Sequence, residues 1–399
     1  MKSKNIFFYS IIFFGLSLFS IDVVSTSLLD MHIYQIFAIQ KKTEKQIISR
    51  SDSSCSAKPP LDLSSTSDPQ LTKLAAYQAA CGSFVTDQMM IFTNMPKDNT
   101  VAKKNGEEMA ETLKDFSSHG VRPIVIAEPV TDWGLIDYEE FKTGFYDQWI
   151  DTYFATIKNS GISDEEMGTW IPFPEPNLPY WNHANAKPQD FSAIVNQYLA
   201  SFKKHFPTAK ASVMLNSATY ENDDFDWRNG EYVSLLPYVE GLNKSYIDSF
   251  GLQGFPWSPP ADESGVAINQ AAEFLPIRLI TEAAQSLGVN KVWLNTGTFG
   301  LKYTDDNKRT VFVSPGKRQA VLSSIVDVAT RLKNSHYEVS INLFAEDKSS
   351  TTEATDWSYK VDPAATQENT SSEESIVFSN FVTTLMKNNI GFSLYDSAH

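Results

Sequence analysis

Short apolar runs that alternate with segments of helical periodicity are the feature of this sequence that most restricts its fold. The runs have the length and composition of buried strands, and the segments between them carry apolar residues at helical spacing. The predicted strands are residues 89–93, 120–128, 167–175, 210–217, 247–255, 291–296, 338–346 and 390–395. The predicted helices are residues 101–116, 138–158, 188–205, 232–242, 267–287, 317–333 and 376–387.

Eight buried strands separated by helices predict an α/β fold, a closed parallel (β/α)8 (TIM) barrel. An open doubly wound sheet is the alternative, but its glycine fingerprint is missing from the first strand–helix turn. The barrel domain is predicted to occupy residues 71–399 of the 399-residue chain.

The segment before the barrel has two parts. Lys2 and Lys4 precede an apolar run at residues 6–21, so residues 1–30 are predicted to be a signal peptide or signal anchor. Residues 31–70 are predicted to be a linker, because residues 49–70 are rich in Ser, Pro and Asp. The protein is therefore expected to be secreted or membrane-anchored, with the domain outside the cytoplasm and membrane attachment possible through the N-terminal segment.

Composition and motifs exclude several classes of protein. The formal net charge of −15 disfavours nucleic acid as a partner. The sequence contains no H-E-x-x-H, no G-x-S-x-G and no glycine-rich phosphate loop. Its two cysteines, Cys55 and Cys81, form no metal-binding motif, although an exported chain could bridge them. No metal and no other cofactor is predicted.

Three predicted strands end in, or just before, a glutamate. A TIM barrel carries its chemistry at the C-terminal ends of its strands, where Glu128, Glu175 and Glu346 fall. Glu175 lies between two prolines and is followed by Tyr180 and Trp181. A carboxyl group beside aromatic surface is typical of a site that binds and protonates a sugar.

The central segment resembles the clan A glycoside hydrolases, which are retaining (β/α)8 glycosidases. Residues 173–181 (Phe-Pro-Glu-Pro-Asn-Leu-Pro-Tyr-Trp) resemble the family strand that ends in Asn-Glu-Pro. Residues 247–256 resemble a later strand of the form Asp-x-x-Gly-x-x-x-Tyr, and residues 292–297 resemble the strand that ends in the nucleophilic Glu. The resemblance implies that Glu175 is the general acid/base.

The sequence departs from that family pattern at three positions. Pro174 replaces the Asn before the acid, Thr296 stands at the nucleophile position, and Phe255 replaces the Tyr that orients the nucleophile. Glu175 and Thr296 lie on the third and sixth predicted strands, one short of the clan's fourth and seventh. The last strand, residues 390–395, is therefore expected to take the place of the clan's first strand.

The sequence predicts an exported glycoside hydrolase-like protein that acts on a polysaccharide, with Glu175 as general acid/base and Glu128 or Glu346 as the second carboxylate. A separation of about 5 Å between the two carboxyl groups would indicate retention, and about 6.5–9.5 Å inversion. The alternatives are a catalytically inactive glycan-binding barrel and a structural surface protein. The candidate substrate-binding residues are Asn177, Tyr180, Trp181, Asn216, Trp257, Thr296 and Trp357.

Overall fold

The computed structural model describes residues 55–96, 98–131, 134–177, 187–217, 234–256, 271–298, 302–304, 310–312, 315–345, 359 and 373–395. Within these ranges eight parallel strands close into a barrel. They are β1 Gln88–Asn94, β2 Arg122–Glu128, β3 Thr169–Pro172, β4 Lys210–Asn216, β5 Ser249–Gln253, β6 Lys291–Thr296, β7 Glu338–Phe344 and β8 Gly391–Tyr395.

Pairing between the last and first strands closes the barrel. Each strand pairs with its neighbour in the chain, and Met89 of β1 lies opposite Leu394 of β8. The predicted closed parallel barrel is therefore confirmed, and the open sheet is excluded. The eight strands fall on the eight predicted apolar runs, and β8 pairs with β1. The expectation that β8 takes the place of the clan's first strand stays a prediction.

Helices cover the outside of the barrel. They are α1 Pro69–Cys81, α2 Asn99–Ser118, α3 Tyr138–Lys142, α4 Asp147–Asn159, α5 Pro188–His205, α6 Leu236–Val239, α7 Ala271–Phe274, α8 Ile277–Leu287, α9 Pro315–Asn334 and α10 Glu373–Lys387. A 3₁₀ turn, Lys244–Tyr246, precedes β5. Two short antiparallel ribbons lie in loops at the C-terminal side: residues 130–131 pair with 134–135 after β2, and 302–304 pair with 310–312 after β6.

Two predicted helices are divided in the structure. Gly144, with a φ of 84°, separates α3 from α4, because a left-handed residue does not continue a right-handed helix. Pro276 separates α7 from α8, since proline has no backbone N–H to donate to the preceding turn. The helix predicted at 232–242 is only Leu236–Val239 in the described part of that segment.

The interior of the barrel is filled with side chains. Met90, Ile126, Ile171, Met214 and Trp293 form one apolar cluster there. The Trp293 ring lies where a side chain at Gly251 would project, since a Cβ added to Gly251 would lie 2.3 Å from the ring. The Trp293 indole N–H donates to the Ser212 hydroxyl at 2.8 Å. A ligand can therefore approach the barrel only from its ends.

The part of the predicted linker from Cys55 onward lies against the barrel domain. A disulfide joins Cys55 to Cys81, with their Cα atoms 5.4 Å apart. The Gln78 side chain bonds both the N–H (2.8 Å) and the C=O (3.2 Å) of Leu61, and Leu63 is buried. Residues 1–54, including the predicted signal or anchor, lie outside the described residues. In the ranges described above, no helix is both long and apolar enough to cross a membrane.

Candidate active site at the barrel mouth

The chain after β3 turns sharply across the C-terminal end of the barrel, which we call the mouth. Phe173 and Glu175 both have left-handed backbones, with φ values of 51° and 54°. Such a conformation costs a non-glycine residue about 1–3 kcal/mol and persists only where its surroundings enforce it. Here the Phe173 N–H donates to Ala127 O at 2.8 Å, and the Glu175 N–H donates to Met214 O at 2.9 Å. The turn is thus fixed between β2 and β4.

Amide side chains hold Glu175 at the mouth. Its side chain is buried, and its Oε1 accepts hydrogen bonds from Asn216 Nδ2 and Gln253 Nε2. Asn177 in turn bonds the backbone of Asn216, donating to its C=O at 2.8 Å and accepting from its N–H at 3.0 Å. N–H donors stabilise the charged form of a carboxyl group. These hydrogen bonds bring together three of the predicted site residues, Glu175, Asn177 and Asn216.

A row of polar side chains continues around the mouth from Gln253. In register along β5 to β8 lie Gln253, Asn295, Asn342 and Ser393. Asn295 Nδ2 donates to Gln253 Oε1, Asn342 Nδ2 donates to Asn295 Oδ1, and Ser393 Oγ donates to Asn342 Oδ1 at 2.9 Å. These four residues were not predicted. The signal for them is their alternation with outward-facing apolar residues along each strand.

Glu128, another predicted catalytic residue, lies on the strand next to Glu175. It is the last residue of β2, pairs in register with Asn94 of β1, and has the same parity as the inward-facing Ile126. Glu128 is half-buried, and this burial raises the pKa of its carboxyl group above the ordinary value. Within the described part of the chain, no residue donates a hydrogen bond to its carboxylate or forms an ion pair with it. Glu128 is thus a desolvated acid that retains its proton to higher pH than an exposed glutamate.

Four aromatic rings lie next to one another at the ends of the strands around the mouth. We call them the aromatic arc: Phe92 of β1, Tyr395 of β8, Phe344 of β7 and Phe255 after β5. Successive ring centroids are 5.0, 4.9 and 5.6 Å apart, and all four rings are partly exposed, Phe92 by 40%. This surface was not predicted. The predicted aromatic residues Tyr180, Trp181, Trp257 and Trp357, and the acid Glu346, lie outside the described residues.

Thr296 does not reach the mouth. Its side chain is fully buried, and its Oγ1 donates to Gly254 O at 2.7 Å. Side chains alternate along a strand, and on β6 the inward positions are Trp293 and Asn295. The expectation that Thr296 occupies the nucleophile position and contacts substrate is therefore corrected, and the inward-facing residue at this strand end is Asn295.

No cluster of three His, Cys, Asp or Glu side chains that could hold a metal ion occurs among the residues the structure describes. Among the described residues, the mouth carries two carboxyl groups in different surroundings, beside amides and aromatic rings.

Comparison with known proteins gives similar structures but no similar sequences. No protein-family model matches the chain, and no curated protein matches it in sequence. Solved structures similar to it include a family 1 β-glucosidase from Thermotoga maritima, at 12% identity over 80% of this chain and 86% of that one, with a TM-score of 0.49. They also include a fungal β-1,4-galactanase, at 10% identity over 78% and 90%, with a TM-score of 0.48. At these identities the likeness concerns the fold alone.

Proposed function

We propose that this protein is an exported glycoside hydrolase that acts on a polysaccharide, with Glu175 and Glu128 as the two carboxyl groups of its site. One observation carries the proposal: a left-handed turn fixes the Glu175 carboxylate under two amide donors at the barrel mouth, one strand away from the desolvated acid Glu128. Glycoside hydrolysis requires such a pair, one group protonated and the other ionised.

The surroundings of the two acids favour roles different from those implied by the resemblance. Amide N–H groups stabilise the negative charge of Glu175, whereas burial favours the neutral form of Glu128. We therefore assign proton donation to the leaving oxygen to Glu128. Glu175 is then the carboxylate that attacks the anomeric carbon or activates a water. This assignment differs from the sequence prediction, in which Glu175 is the general acid/base. The catalytic role predicted for Glu346 stays a prediction.

The aromatic arc supports a carbohydrate substrate. Sugar rings present apolar C–H faces that pack on aromatic rings, while their hydroxyl groups bond polar side chains at the edge. Three centroid steps of about 5 Å make the arc longer than one sugar ring, which favours a chain of sugars over a monosaccharide. The net charge of −15 repels acidic polysaccharides, so a neutral polysaccharide is the proposed substrate.

Export is supported by the disulfide. A Cys55–Cys81 bridge is typical of proteins that fold in an oxidising compartment. Together with the basic and apolar N-terminal sequence, it favours a protein that is secreted or anchored with its barrel outside the cytoplasm.

The proposal is tested with Glu175→Gln, Glu128→Gln and a control, Glu338→Gln, on a panel of neutral polysaccharides with release of reducing ends as the readout. Glu338 is an exposed carboxylate that begins β7 at the opposite end of the barrel. We expect each mouth variant to lose about 10²–10⁴-fold in kcat and the control to retain full activity. Turnover by both mouth variants at the wild-type rate would refute the site.

Aryl glycosides with a good leaving group separate the two roles. Such a leaving group departs without a proton, so Glu128→Gln should recover most of its activity on these substrates while Glu175→Gln remains inactive. The reverse pattern would return the general acid role to Glu175.

A glycan-binding protein without catalysis is the second candidate. It is favoured by Asn295, an amide at the inward end of the strand on which the resemblance implies the nucleophile. This candidate predicts no turnover on any polysaccharide, together with binding on a glycan array that is lost in Phe92→Ala. A structural surface barrel predicts neither turnover nor binding.

A further inference from the structure

The polar row at the mouth is one hydrogen-bond chain with a single direction. Ser393 donates to Asn342, Asn342 to Asn295, Asn295 to Gln253, and Gln253 to Glu175. Each amide accepts through its carbonyl oxygen and donates through its nitrogen. The chain crosses four strands and ends on the Oε1 atom that also accepts from Asn216.

The direction follows from the chemistry of the two ends. An ionised carboxylate can only accept, so Gln253 must turn its nitrogen toward Glu175 and its oxygen toward Asn295. The same constraint then fixes Asn295 and Asn342 in turn. Ser393 can end the chain because a hydroxyl group is able to donate. The orientation of all these side chains therefore follows from an acceptor, Glu175 Oε1, at the end of the chain.

The middle of the chain lies below the surface that a substrate could contact. Asn295 and Asn342 are 3% and 1% exposed. Sulfur atoms of the barrel interior also accept from their amides: Met214 Sδ is 3.6 Å from Asn295 Nδ2, and Met90 Sδ is 3.5 Å from Asn342 Nδ2. Hydrogen bonds in such apolar surroundings polarise one another.

We propose that Asn295 and Asn342 are positioning residues. They fix and polarise Glu175 through Gln253, although they lie on the first and second strands beyond the strand of Gln253. The effect on catalysis rests on the proposed hydrolysis. The coupling between Glu175 and the side chains of Asn295 and Asn342 does not. Removal of Asn295 takes away the donor to the Gln253 carbonyl oxygen and weakens the bond from Gln253 to Glu175, whereas removal of Asn342 takes away the donor to Asn295 and acts on Gln253 only through it. The effect on Glu175 should decrease from Asn295 to Asn342.

The coupling is measured without turnover, by the side-chain ¹H–¹⁵N signals of selectively labelled asparagine. Glu175→Gln replaces a carboxyl group at the end of the chain with an amide that can donate as well as accept, so the Asn342 side-chain signal should move although two side chains separate it from residue 175. Asn196, a partly exposed asparagine on α5 that donates to Gly241 O at 2.9 Å, is the control and should not move. An Asn342 signal at its wild-type position in Glu175→Gln overturns the proposal.

The catalytic consequence is measured by kcat and KM of Asn295→Leu and Asn342→Leu, with Ser212→Ala as the matched control. Ser212 is a buried inward hydroxyl that bonds Trp293 and Ser249 and takes no part in the chain. We expect kcat to fall about tenfold in Asn342→Leu and further in Asn295→Leu, at a KM within about twofold of wild type, because the amides do not touch substrate. If a leucine variant does not fold, the serine variant at that position takes its place.

Unchanged kcat in both variants overturns the positioning role. A moved Asn342 signal in a protein that hydrolyses no polysaccharide supports the coupling and refutes only the proposed hydrolysis.

Discussion

The two ends of the barrel treat their carboxylates in opposite ways. At the N-terminal end, Asp248 accepts from the Ala211 N–H at 2.9 Å and from Lys210 and Lys203 at 2.9 and 3.4 Å. At the mouth, neutral amides hold Glu175, and Glu128 is desolvated. Lysine side chains at the N-terminal end neutralise the charge of Asp248 and connect the strands, whereas at the mouth amides donate to Glu175 and burial favours the neutral form of Glu128. In (β/α)8 enzymes the N-terminal face serves stability and the C-terminal face carries the chemistry.

One strand can belong to both ends. β4 begins with Lys210, which pairs with Asp248, and ends with Asn216, which holds Glu175. The comparison therefore makes a specific claim about substitutions. Changes at the N-terminal end should lower stability without affecting turnover, and changes at the mouth should affect turnover or binding more than stability.

The disulfide provides the largest stability effect we expect. It closes a loop across a sequence separation of 26, from the N-terminal segment to the end of α1 just before β1. Loop-closure entropy predicts that the Cys55→Ser, Cys81→Ser double variant loses about 3 kcal/mol of unfolding free energy in urea denaturation. Dithiothreitol should lower the stability of the wild type by a similar amount and leave the double variant unaffected. A large loss of kcat in the folded double variant would contradict the separation of the two ends.

Asp248→Asn tests the N-terminal end more directly. The neutral amide loses both charge-assisted bonds to lysine and weakens the bond from the Ala211 N–H, so we expect a loss of about 1–2 kcal/mol in unfolding free energy. High salt should reduce the difference, because the pair is partly exposed. At temperatures where the variant is folded, kcat/KM should equal that of the wild type. A fall of tenfold or more would show that this end also affects the chemistry.

Phe92→Ala tests the mouth as a binding surface. Phe92 is 40% exposed at the end of the aromatic arc, so truncation removes a ring on which sugar would pack and little of the folded core. We expect KM for a polysaccharide to rise about tenfold, equivalent to about 1.4 kcal/mol, with Tm changed by only a few degrees. Phe145→Ala is the matched control, since Phe145 is 49% exposed and packs on Tyr146 and Trp149 away from the arc. Equal effects of the two variants on KM would remove the arc from the binding site.

The strands of this barrel could be predicted because buried parallel strands read as apolar runs, and all eight do. An apolar run does not show which of its residues face the mouth. A shift of one residue exchanges the two faces of a strand, and on β6 this separates the predicted Thr296, which bonds Gly254 O, from the inward-facing Asn295. Strand parity also identifies Gln253 and Asn342, but only once one inward-facing residue of each strand is known.

The position of Glu175 depends on contacts that no local pattern reports. Phe173 and Glu175 adopt backbones that disfavour their own side chains, and the acceptors that hold them, Ala127 O and Met214 O, belong to other strands. The proline-flanked glutamate could be found from sequence, whereas its burial and its amide donors required the fold. The aromatic arc is likewise assembled from four separate strands or loops.

Glu128→Gln should have the smallest effect on stability, and its sign distinguishes the two ends. Burial raises the pKa of Glu128 in the folded protein, so the folded state holds this proton more tightly than the unfolded state does. The resulting stability is fully present below the unfolded pKa of about 4.3 and is lost as pH rises through the folded pKa. Above that pH the wild type bears a desolvated charge that glutamine lacks. The variant should therefore be equally stable at pH 4 and slightly more stable at pH 7, with a Tm higher by on the order of one or two degrees. At pH 7, Asp248→Asn should instead be less stable than the wild type, with a lower Tm. A destabilised Glu128→Gln at neutral pH would show that this carboxylate is paired in solution, and the mouth would then resemble the N-terminal end.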